Sequence, residues 1–536
     1  MGLLRILVVT GKLAEPLVKE IVRGARTRHQ VDVVVLPVSV IVLLSTENIA
    51  KHLARMGIRR GMYDLVLIPG GCLGSARVIE EYIGVPAVKG PLHANDLPLV
   101  LELDNPLDQL SPDKPADEVI RGRIIARNIG LLRDLEESLD PGMGVVVGGV
   151  VVPQKPPPIR IISEVTDSLR LSIEEIIERI NRYVDDGANI VSLGFEAESP
   201  HPDKVYEVIR AVKREVDVPI AIDSLIPSEI IRAIEAGVDL VLSIELSNID
   251  KVSTYVSNTP CVLIPYDHSR KYLPKDPVER TYLLERLVSR ARSLGMKHII
   301  GDLVLEPPII GDSFKTLYMY SLFKEKHPRI PLLIGSGNIV ELVDVDSVGV
   351  NALLVMFALE IGISIVLTVE KSVKAQGSTR ELAIASQMAT LAYLRKTPPK
   401  DLGIDLLILK DKRRITIPFE EEGAETIVVK DYRAPYKIDP MGIFKIRVNH
   451  RDRYIEALYI GRKGKILLRG RSAEELSKYI IDRGLVSTLS HAAYLGRELA
   501  KAEEALRIGK NYVQERPLFI VRKPLRIERV GYKRKE

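Results

Sequence analysis

Apolar runs and helical patterns alternate along the first part of the chain. Leu4–Thr10 is an almost unbroken apolar run, which is typical of a strand buried on both faces of a sheet. A helical pattern follows at 13–23, and further strands are predicted at 31–36 and 63–68. Because strands that alternate with helices favour a parallel sheet, the first segment is predicted to be a parallel α/β domain.

The middle of the chain repeats the strand–helix rhythm eight times. Strands are predicted at 159–165, 189–193, 219–223, 240–244, 261–265, 298–303, 331–334 and 363–368. The first helix of this segment begins at Ser172 with Glu175 three residues later, a capping box, and Ser378 and Glu381 repeat the pattern in the last one. Eight βα units in about 240 residues match a closed (β/α)8 TIM barrel, with a doubly wound sheet as the alternative.

The last part of the chain mixes short strands with two long helical patterns. Short strands are predicted around 406–409, 415–418 and 427–429. A hairpin is expected from Phe444–Val448 and Tyr454–Ile460, and helices from Ala473–Asp482 and Ser490–Ile508. This segment is therefore predicted to be α+β.

One composition shift and the end of the strand–helix repeat divide the chain into three predicted domains. The stretch 141–158 is rich in Gly, Val and Pro, and its proline-rich end is expected to be an extended linker. We predict an N-terminal α/β (Rossmann-like) domain over residues 1–150, the barrel over 151–397 and an α+β domain over 398–536.

Composition excludes several classes of protein. The chain has 536 residues, of which 46% are hydrophobic and 27% charged, so it is globular rather than disordered. A net charge of +5, 5% aromatic residues and no Trp argue against a nucleic-acid partner. The longest apolar stretch, 352–369, is interrupted by Glu360, so a buried helix and strand are expected instead of a membrane span. With two distant cysteines and no signal-peptide pattern, the protein is predicted to be cytoplasmic.

Two glycine turns in the N-terminal segment are candidate contact points for a ligand. Thr10-Gly11-Lys12 and Pro69-Gly70-Gly71 follow predicted parallel strands, and ligands of such sheets bind at the carboxyl ends of strands. The alternative is that both are ordinary tight turns. No nucleotide-binding fingerprint is present.

Polar residues also follow the barrel strands, where barrel enzymes place their active sites. Asp223 and Asp302 each end a predicted apolar strand, where a carboxylate must be paired or used in chemistry. The other carboxylates at this end have a simpler alternative, as helix caps or loop ion pairs. We therefore expect Asp223 and Asp302 to face one pocket at the strand ends.

Four stretches of the barrel segment resemble the pterin-binding barrels, and among them the archaeal dihydropteroate-synthase-related proteins. Residues 164–168 (EVTDS) resemble the family's opening Asn-Val-Thr-Pro-Asp-Ser motif, and 186–196 (DGANIVSLGFE) its Gly-Ala-Asp-Ile-Ile-Asp-Ile-Gly-Gly-Glu. Residues 218–224 and 233–239 resemble its Pro-Ile-Ser-Val-Asp-Thr and Ala-Leu-Glu-Ala-Gly-Ala-Asp. The flanking domains match the layout of the archaeal subgroup.

The resemblance implies a site and a reaction. The implied reaction joins a 6-hydroxymethyl-dihydropterin diphosphate to an arylamine in archaeal folate or methanopterin biosynthesis, with Asp302 and Asn338 as catalytic residues. The pterin would contact Asp223, Asp302, Glu196, Ser243 and Asn338. The diphosphate would be bound by Thr166, Ser336, Ser378 and Arg380, and by Mg²⁺ held near Glu164. A homodimer is also expected.

The sequence departs from the synthase pattern at several strands. Ser336-Gly337-Asn338 stands where a dihydropteroate synthase has Ser-Arg-Lys, and Ser243 stands in place of a pterin-binding Asn. Asn338 resembles the Asn found at this position in pterin-dependent methyltransferases that act with a corrinoid partner. This resemblance gives methyl transfer as one alternative function. A non-catalytic pterin-binding protein is the other.

Overall fold

The computed structural model describes residues 3–195, 200–412, 424–425, 427–430 and 438–520. Its contacts separate two compact units, residues 1–413 and 414–536. The first unit holds both the N-terminal sheet and the barrel, and the predicted boundaries at 150 and 397 remain predictions. Within the described ranges, no helix has the length and apolar character needed to cross a bilayer.

The N-terminal part is built on four parallel strands in the order β2-β1-β3-β4. The strands are β1 (Arg5–Gly11), β2 (Gln30–Leu36), β3 (Leu65–Ile68) and β4 (Ala87–Lys89). The helices are α1 (Glu15–Gly24), α2 (Thr46–Arg55), α3 (Arg77–Ile83), α4 (Leu97–Leu101), α5 (Pro106–Gln109) and α6 (Asp117–Glu137). The predicted parallel α/β domain is confirmed, and β4 is a strand that the sequence pattern did not predict.

A hairpin of β5 (Gly144–Val147) and β6 (Val150–Pro153) lies in the stretch expected to mark a boundary. Gly148 and Gly149 both have positive φ, of 52° and 92°, as a two-residue hairpin turn of the primed type requires. The hairpin's Val145, Val147 and Val152 are buried in one cluster with the residues that fill the barrel interior. The hairpin therefore packs against the inner core of the barrel.

The eight central strands are parallel and form a closed barrel, so the barrel prediction is confirmed and the open-sheet alternative is wrong. They are β7 (Arg160–Val165), β8 (Ile190–Gly194), β9 (Ile220–Asp223), β10 (Leu240–Ile244), β11 (Cys261–Leu263), β12 (Ile299–Asp302), β13 (Leu332–Gly335) and β14 (Ile365–Val369). The first and last of them, β7 and β14, pair over five residues and close the ring.

Helices follow the barrel strands and cover them. They are α7 (Ile173–Asp185), α8 (Pro202–Glu215), α9 (Pro227–Ala236), α10 (Ile249–Val256), α11 (Pro277–Ser293), α12 (Ser313–Lys326), α13 (Gly337–Val340), α14 (Ser347–Ile361) and α15 (Ser378–Arg395). The predicted capping box of α7 is present, with Ser172 and Glu175 bonding reciprocally. The one predicted for α15 is wrong, because Gly377 is its N-cap and Glu381 accepts hydrogen bonds from Ser347 and Asn351 of α14 instead.

The second unit has an antiparallel sheet in the order β15-β16-β17 and two helices, which confirms its α+β class. Its elements are β15 (Gly442–Asn449), β16 (Tyr454–Gly461), β17 (Gly464–Gly470), α16 (Ala473–Asp482) and α17 (Leu489–Ile508). No strand forms at 406–409 or in the described part of 427–429, where strands were predicted. The strand predicted at 415–418 lies outside the described residues.

Candidate active site

Alternation along the strands brings three carboxylates to one end of the barrel interior. Ile162, Ala221 and Ile300 belong to the apolar cluster inside the barrel. Successive side chains of a strand point to opposite faces, so the residue two positions further points inward as well. These next inward positions are occupied by Glu164, Asp223 and Asp302, each at or near the carboxyl end of its strand. The mouth of the barrel is therefore lined with acid groups.

Glu164 and Asp223 influence each other across the strand that lies between them. The Glu164 carboxyl lies over Gly194 of β8, where a Cβ would overlap Oε1, and Gly194 pairs in register with Asp223. Burial, followed by the charges of Asp223 and Asp167, raises the pKa of Glu164 to about 8, while Lys371 acts in the opposite direction. Glu164 is therefore mainly protonated at neutral pH and can donate a hydrogen bond.

Ser243 is held beside Asp223 by an unusual backbone. Its φ is +62°, and the pairing of β10 with β11 shifts register between Val241 and Ile244. Such irregularities re-aim a side chain at many active sites. Here Ser243 Oγ donates to Asp223 Oδ1 at 2.5 Å. Burial raises the pKa of Asp223 above its usual range, although this hydrogen bond lowers it.

Asp302 is fixed by two donors on a single oxygen. Its Oδ1 accepts from the hydroxyl of Tyr320 and, at 2.8 Å, from the amide of Val304. Among the described residues no hydrogen-bond donor contacts Oδ2, which is left for a ligand. Burial raises the pKa of Asp302 to about 6, against the lowering effect of these bonds and of Arg280. Asp302 is thus mostly ionised at neutral pH.

The loop after β12 is anchored by a buried arginine that the sequence analysis missed. The Arg280 side chain is fully buried, donates to the carbonyl of Val304 at 2.5 Å and pairs with Glu306 at 3.1 Å. Val304 has φ +60°, which is a strained conformation for a β-branched residue. Arg280 and Tyr320 lie on helices far from the strand motifs, so strand spacing carries no signal for them.

The residues after β13 form one wall of the mouth. Asn338 is exposed, and its Nδ2 donates to the carbonyl of Leu305 at 2.9 Å, which leaves its Oδ1 as an acceptor. Ser336 is fully buried, and its Oγ has no hydrogen-bond partner within the described part of the chain. A buried hydroxyl without a partner is costly unless something binds it.

The four predicted phosphate ligands are not brought together. Thr166 is half-buried in the loop after β7, close in sequence to Glu164. Ser378 accepts from Asn351 at 3.0 Å, and the Arg380 guanidinium lies 3.6 Å from Asp186 at the end of α7. The last two therefore lie among the helices, and only Thr166 and Ser336 remain near the strand ends.

Two predictions remain, the pterin contact of Glu196 and the Mg²⁺ site near Glu164. Glu196 lies outside the described residues. Among the described residues, no group of three or more His, Cys, Asp or Glu side chains could hold a metal ion. Glu164, with the charges of Asp223 and Asp167 nearby, could supply only part of a coordination shell and does not form a protein cage.

Three family models match separate parts of the chain. The pterin binding enzyme family matches residues 163–297, which carry the first half of the barrel and Asp223. A family of unknown function (DUF6513) matches residues 4–92, and the PterinBD-DUF4346 family matches residues 438–515.

One relative matches almost the whole of this chain, and one enzyme matches part of it. Uncharacterized protein MJ0107 of Methanocaldococcus jannaschii is 33% identical over 536 residues, covering 97% of this chain and 99% of the relative. The dihydropteroate synthase of Clostridium beijerinckii is 26% identical over 182 residues, covering 31% of this chain and 66% of that enzyme.

Two solved structures illustrate the structural comparison. Yersinia pestis dihydropteroate synthase aligns at 16% identity over 48% of this chain and 99% of its own, with a TM-score of 0.36. The Xanthomonas albilineans enzyme in complex with 7,8-dihydropteroate aligns at 18% identity over 48% of this chain and 100% of its own, with a TM-score of 0.37.

Proposed function

The chain belongs to the dihydropteroate-synthase-related pterin-binding proteins with additional domains, and from this we propose that its barrel joins a 6-hydroxymethyl-dihydropterin diphosphate to an arylamine. The observation that carries the proposal is the pair of inward-facing carboxylates, Asp223 and Asp302. Each has one oxygen engaged by an internal donor and a second oxygen without one in the described structure.

A pterin ring carries hydrogen-bond donors for the free oxygens of these two carboxylates. Its exocyclic amino group and ring N–H groups are donors, and an ionised carboxylate is purely an acceptor. Asp302, mostly ionised at neutral pH, would accept from the amino edge. Hydrogen bonds to charged groups in a site shielded from water give the strongest contribution to recognition.

The reaction needs a held ring and a stabilised leaving group. The arylamine nitrogen forms the new C–N bond to the exposed methylene carbon, the C–O bond to the diphosphate breaks, pyrophosphate leaves with that electron pair, and the amine proton passes to solvent. Negative charge at Asp302 favours the positive character that develops on the ring. The hydroxyls of Thr166 and Ser336 are our candidates for diphosphate contacts, since Ser378 and Arg380 lie among the helices.

We include Mg²⁺ in the proposal as a companion of the diphosphate. Mg²⁺ in such sites uses one or two protein ligands together with substrate phosphates and water. Thr166 and Glu164, whose carboxyl would release its proton on binding the ion, would be those ligands. The ion would neutralise charge on the departing diphosphate.

The proposed reaction also suggests the location of the protein, its pathway and its partners. We place the protein in the cytoplasm, in archaeal folate or methanopterin biosynthesis, with small-molecule pterin and arylamine partners. We also propose a homodimer, because the largely apolar helix α14 exposes Leu353 and Phe357 to solvent. Light scattering of the protein with Leu353→Glu tests this point, and a wild-type monomer contradicts it.

One experiment tests the reaction directly. The purified chain is incubated with the pterin diphosphate, Mg²⁺ and a set of arylamines, and products are analysed by mass. We expect a coupled pterin–arylamine product with wild type and none with Asp302→Asn. Tight pterin binding without coupling would support the non-catalytic alternative, and methyl transfer from a methylated pterin to a free corrinoid would support the methyltransferase.

A further inference from the structure

A cavity of about 310 Å³ lies in the N-terminal part of the chain, distant in sequence from the barrel motifs. It opens at the carboxyl edge of the parallel sheet, where the ends of β1, β3 and β4 meet helix α1. Its lining includes Thr10, Leu17, Val40, Leu67, His93 and Leu97. The sequence analysis singled out this edge through its two glycine turns, and the proposed function makes no use of it.

The strand order places the cavity where parallel sheets bind ligands. The chain leaves β1 toward β2 on one side, and β3 pairs with β1 on the other. The crevice outside the carboxyl ends of two such strands is the usual ligand site of open α/β sheets. Both the end of β1 and the end of β3, including Thr10 and Pro69, line the cavity.

The cavity is not built for a phosphate. None of its described lining residues is Asp, Glu, Lys or Arg. The amides of Lys12 and Leu13 bind the carbonyls of Val38 and Ser39 at 2.8 and 3.1 Å, and the amide of Gly70 binds Pro91 at 3.0 Å. These three backbone donors in and beside the glycine turns are therefore already used. In addition, Glu15 occupies the first turn of α1, where it would repel an anion.

His93 lines the cavity, and one of its two ring nitrogens is engaged within the chain. The Nδ1 atom of His93 accepts from the amide of Asn95 at 3.3 Å, so Nε2 carries the proton of the neutral ring. Burial, then the charge of Arg395, lowers the pKa of His93, which keeps the ring uncharged at neutral pH. Among the described residues, no acceptor bonds this Nε2. The cavity thus combines apolar walls with one available N–H donor.

We propose that the N-terminal domain binds a neutral aromatic molecule of about two rings, bearing one hydrogen-bond acceptor, in this cavity. A dry cavity of about 150 Å³ holds one benzene ring, so 310 Å³ suits a two-ring molecule. A rigid ring system also loses less conformational freedom on binding than an acyl chain of equal size. The acceptor, a hydroxyl or carbonyl oxygen, would face His93.

The test uses the full chain without pterin and measures no turnover, so its outcome is independent of the proposed reaction. N-phenyl-1-naphthylamine, a neutral probe that fluoresces in apolar sites, is titrated into wild type, Leu17→Trp and Leu73→Trp. Leu17 lines the cavity and is partly exposed, whereas Leu73 is exposed and lies outside the lining. We expect saturable binding at one site, weakened at least tenfold by Leu17→Trp and unchanged by Leu73→Trp, while thermal melts show that all three proteins are folded.

Displacement of the probe then defines the chemistry. We expect 1-naphthol to compete better than naphthalene in wild type and about equally in His93→Phe, with 1-naphthyl phosphate the weakest competitor. Equal probe binding in wild type and Leu17→Trp would overturn the proposal, because the probe would then occupy another surface. A preference for 1-naphthyl phosphate, or no saturable binding at all, would overturn it as well.

Discussion

Tyr320 donates its hydroxyl hydrogen to Oδ1 of Asp302, so a residue of helix α12 holds the carboxylate at the end of β12. The same hydroxyl accepts from the amide of Leu303 at 3.0 Å, which fixes its orientation. Tyr320 is completely buried, and burial followed by the charge of Asp302 raises its pKa well above the usual value. Tyr320 therefore remains a donor, and it orients the Asp302 carboxylate.

Replacing Tyr320 by Phe should shift the pH dependence of pterin binding. The hydrogen bond from Tyr320 lowers the pKa of Asp302, so its loss raises that pKa above about 6. Because the proposed pterin contact needs the ionised carboxylate, affinity should be lost at a higher pH than in wild type as pH falls. Calorimetric titrations with a dihydropterin from about pH 5 to about pH 8 measure this shift. Tyr318→Phe, an exposed change on the same helix, is the control, and identical profiles for both variants would contradict the assignment.

Asp302→Asn should abolish turnover and weaken pterin binding while the protein stays folded. An amide offers one acceptor and a mismatched donor, at a cost of roughly 2–4 kcal/mol, or about 30- to 1000-fold in affinity. The competing structural role would be pairing with a lysine, but Lys315 pairs with Asp276 at 2.7 Å and Lys297 contacts Asn258 at 3.5 Å. A thermal melt run beside the titration separates the two roles. Unchanged affinity with a lowered melting temperature would remove Asp302 from the site.

Glu164→Gln should reduce the loss of folding stability that wild type shows as pH rises from 4.5 to about 8. The folded-state pKa of about 8 lies above the ordinary glutamate pKa of 4.5, so the folded state binds more protons between these two values. Stability should therefore fall as pH rises through this window in wild type, and less so in the variant. Melting temperatures across the window measure it, with exposed Glu174→Gln as the control. If Glu164 also binds Mg²⁺ with the diphosphate, calorimetry should show a weaker ion dependence of diphosphate binding in Glu164→Gln.

Asp439→Asn should destabilise the second unit. This carboxylate is fully buried and accepts from Ser487, Thr488, His491 and the amide of Met441. Burial would raise its pKa, but the hydrogen bonds, first of all those from Ser487, hold the pKa well below its usual range. Its stabilising contribution is present above the unfolded value and is lost as pH falls.

For this variant we expect a loss of about 2–4 kcal/mol in the unfolding free energy of that unit at neutral pH. Thermal melts followed by circular dichroism measure the loss. Asp482→Asn on the surface of the same unit is the control, and equal melting curves for the two variants would show that the hydrogen-bonded cluster contributes nothing.

The sequence predicted the strands of the barrel better than the supports of its site. A buried parallel strand requires an apolar run ending in a turn, so Asp223 and Asp302 could be placed at the mouth from local pattern alone. The family resemblance implied Ser378 and Arg380 as phosphate ligands, whereas in the structure Ser378 accepts from Asn351 of α14 and the Arg380 guanidinium lies 3.6 Å from Asp186. The surroundings of the first residues of a helix depend on which distant residues pack against them, here Asn351. Local sequence does not encode such contacts.

The hairpin and the buried arginine show the same limit. Gly148 and Gly149 look like linker residues until Val145 and Val152 are seen to pack on the barrel core. Arg280 has the sequence environment of an exposed helical residue, and only the fold reveals that it bonds the strained backbone at Val304. Long-range contacts decide both cases.

The valines of the β5–β6 hairpin close one end of the barrel. They pack on the interior core, and the carbonyls of Val151 and Pro153 accept hydrogen bonds from Arg160 at the start of β7 and from Ser364 just before β14, so the hairpin covers the end opposite the carboxylates. A ligand beside Asp223 and Asp302 would therefore be reached from the other end. If a pterin diphosphate binds there first, the arylamine must arrive from the solvent side, and the coupled product must leave before the next pterin binds, so that excess product competes with the pterin.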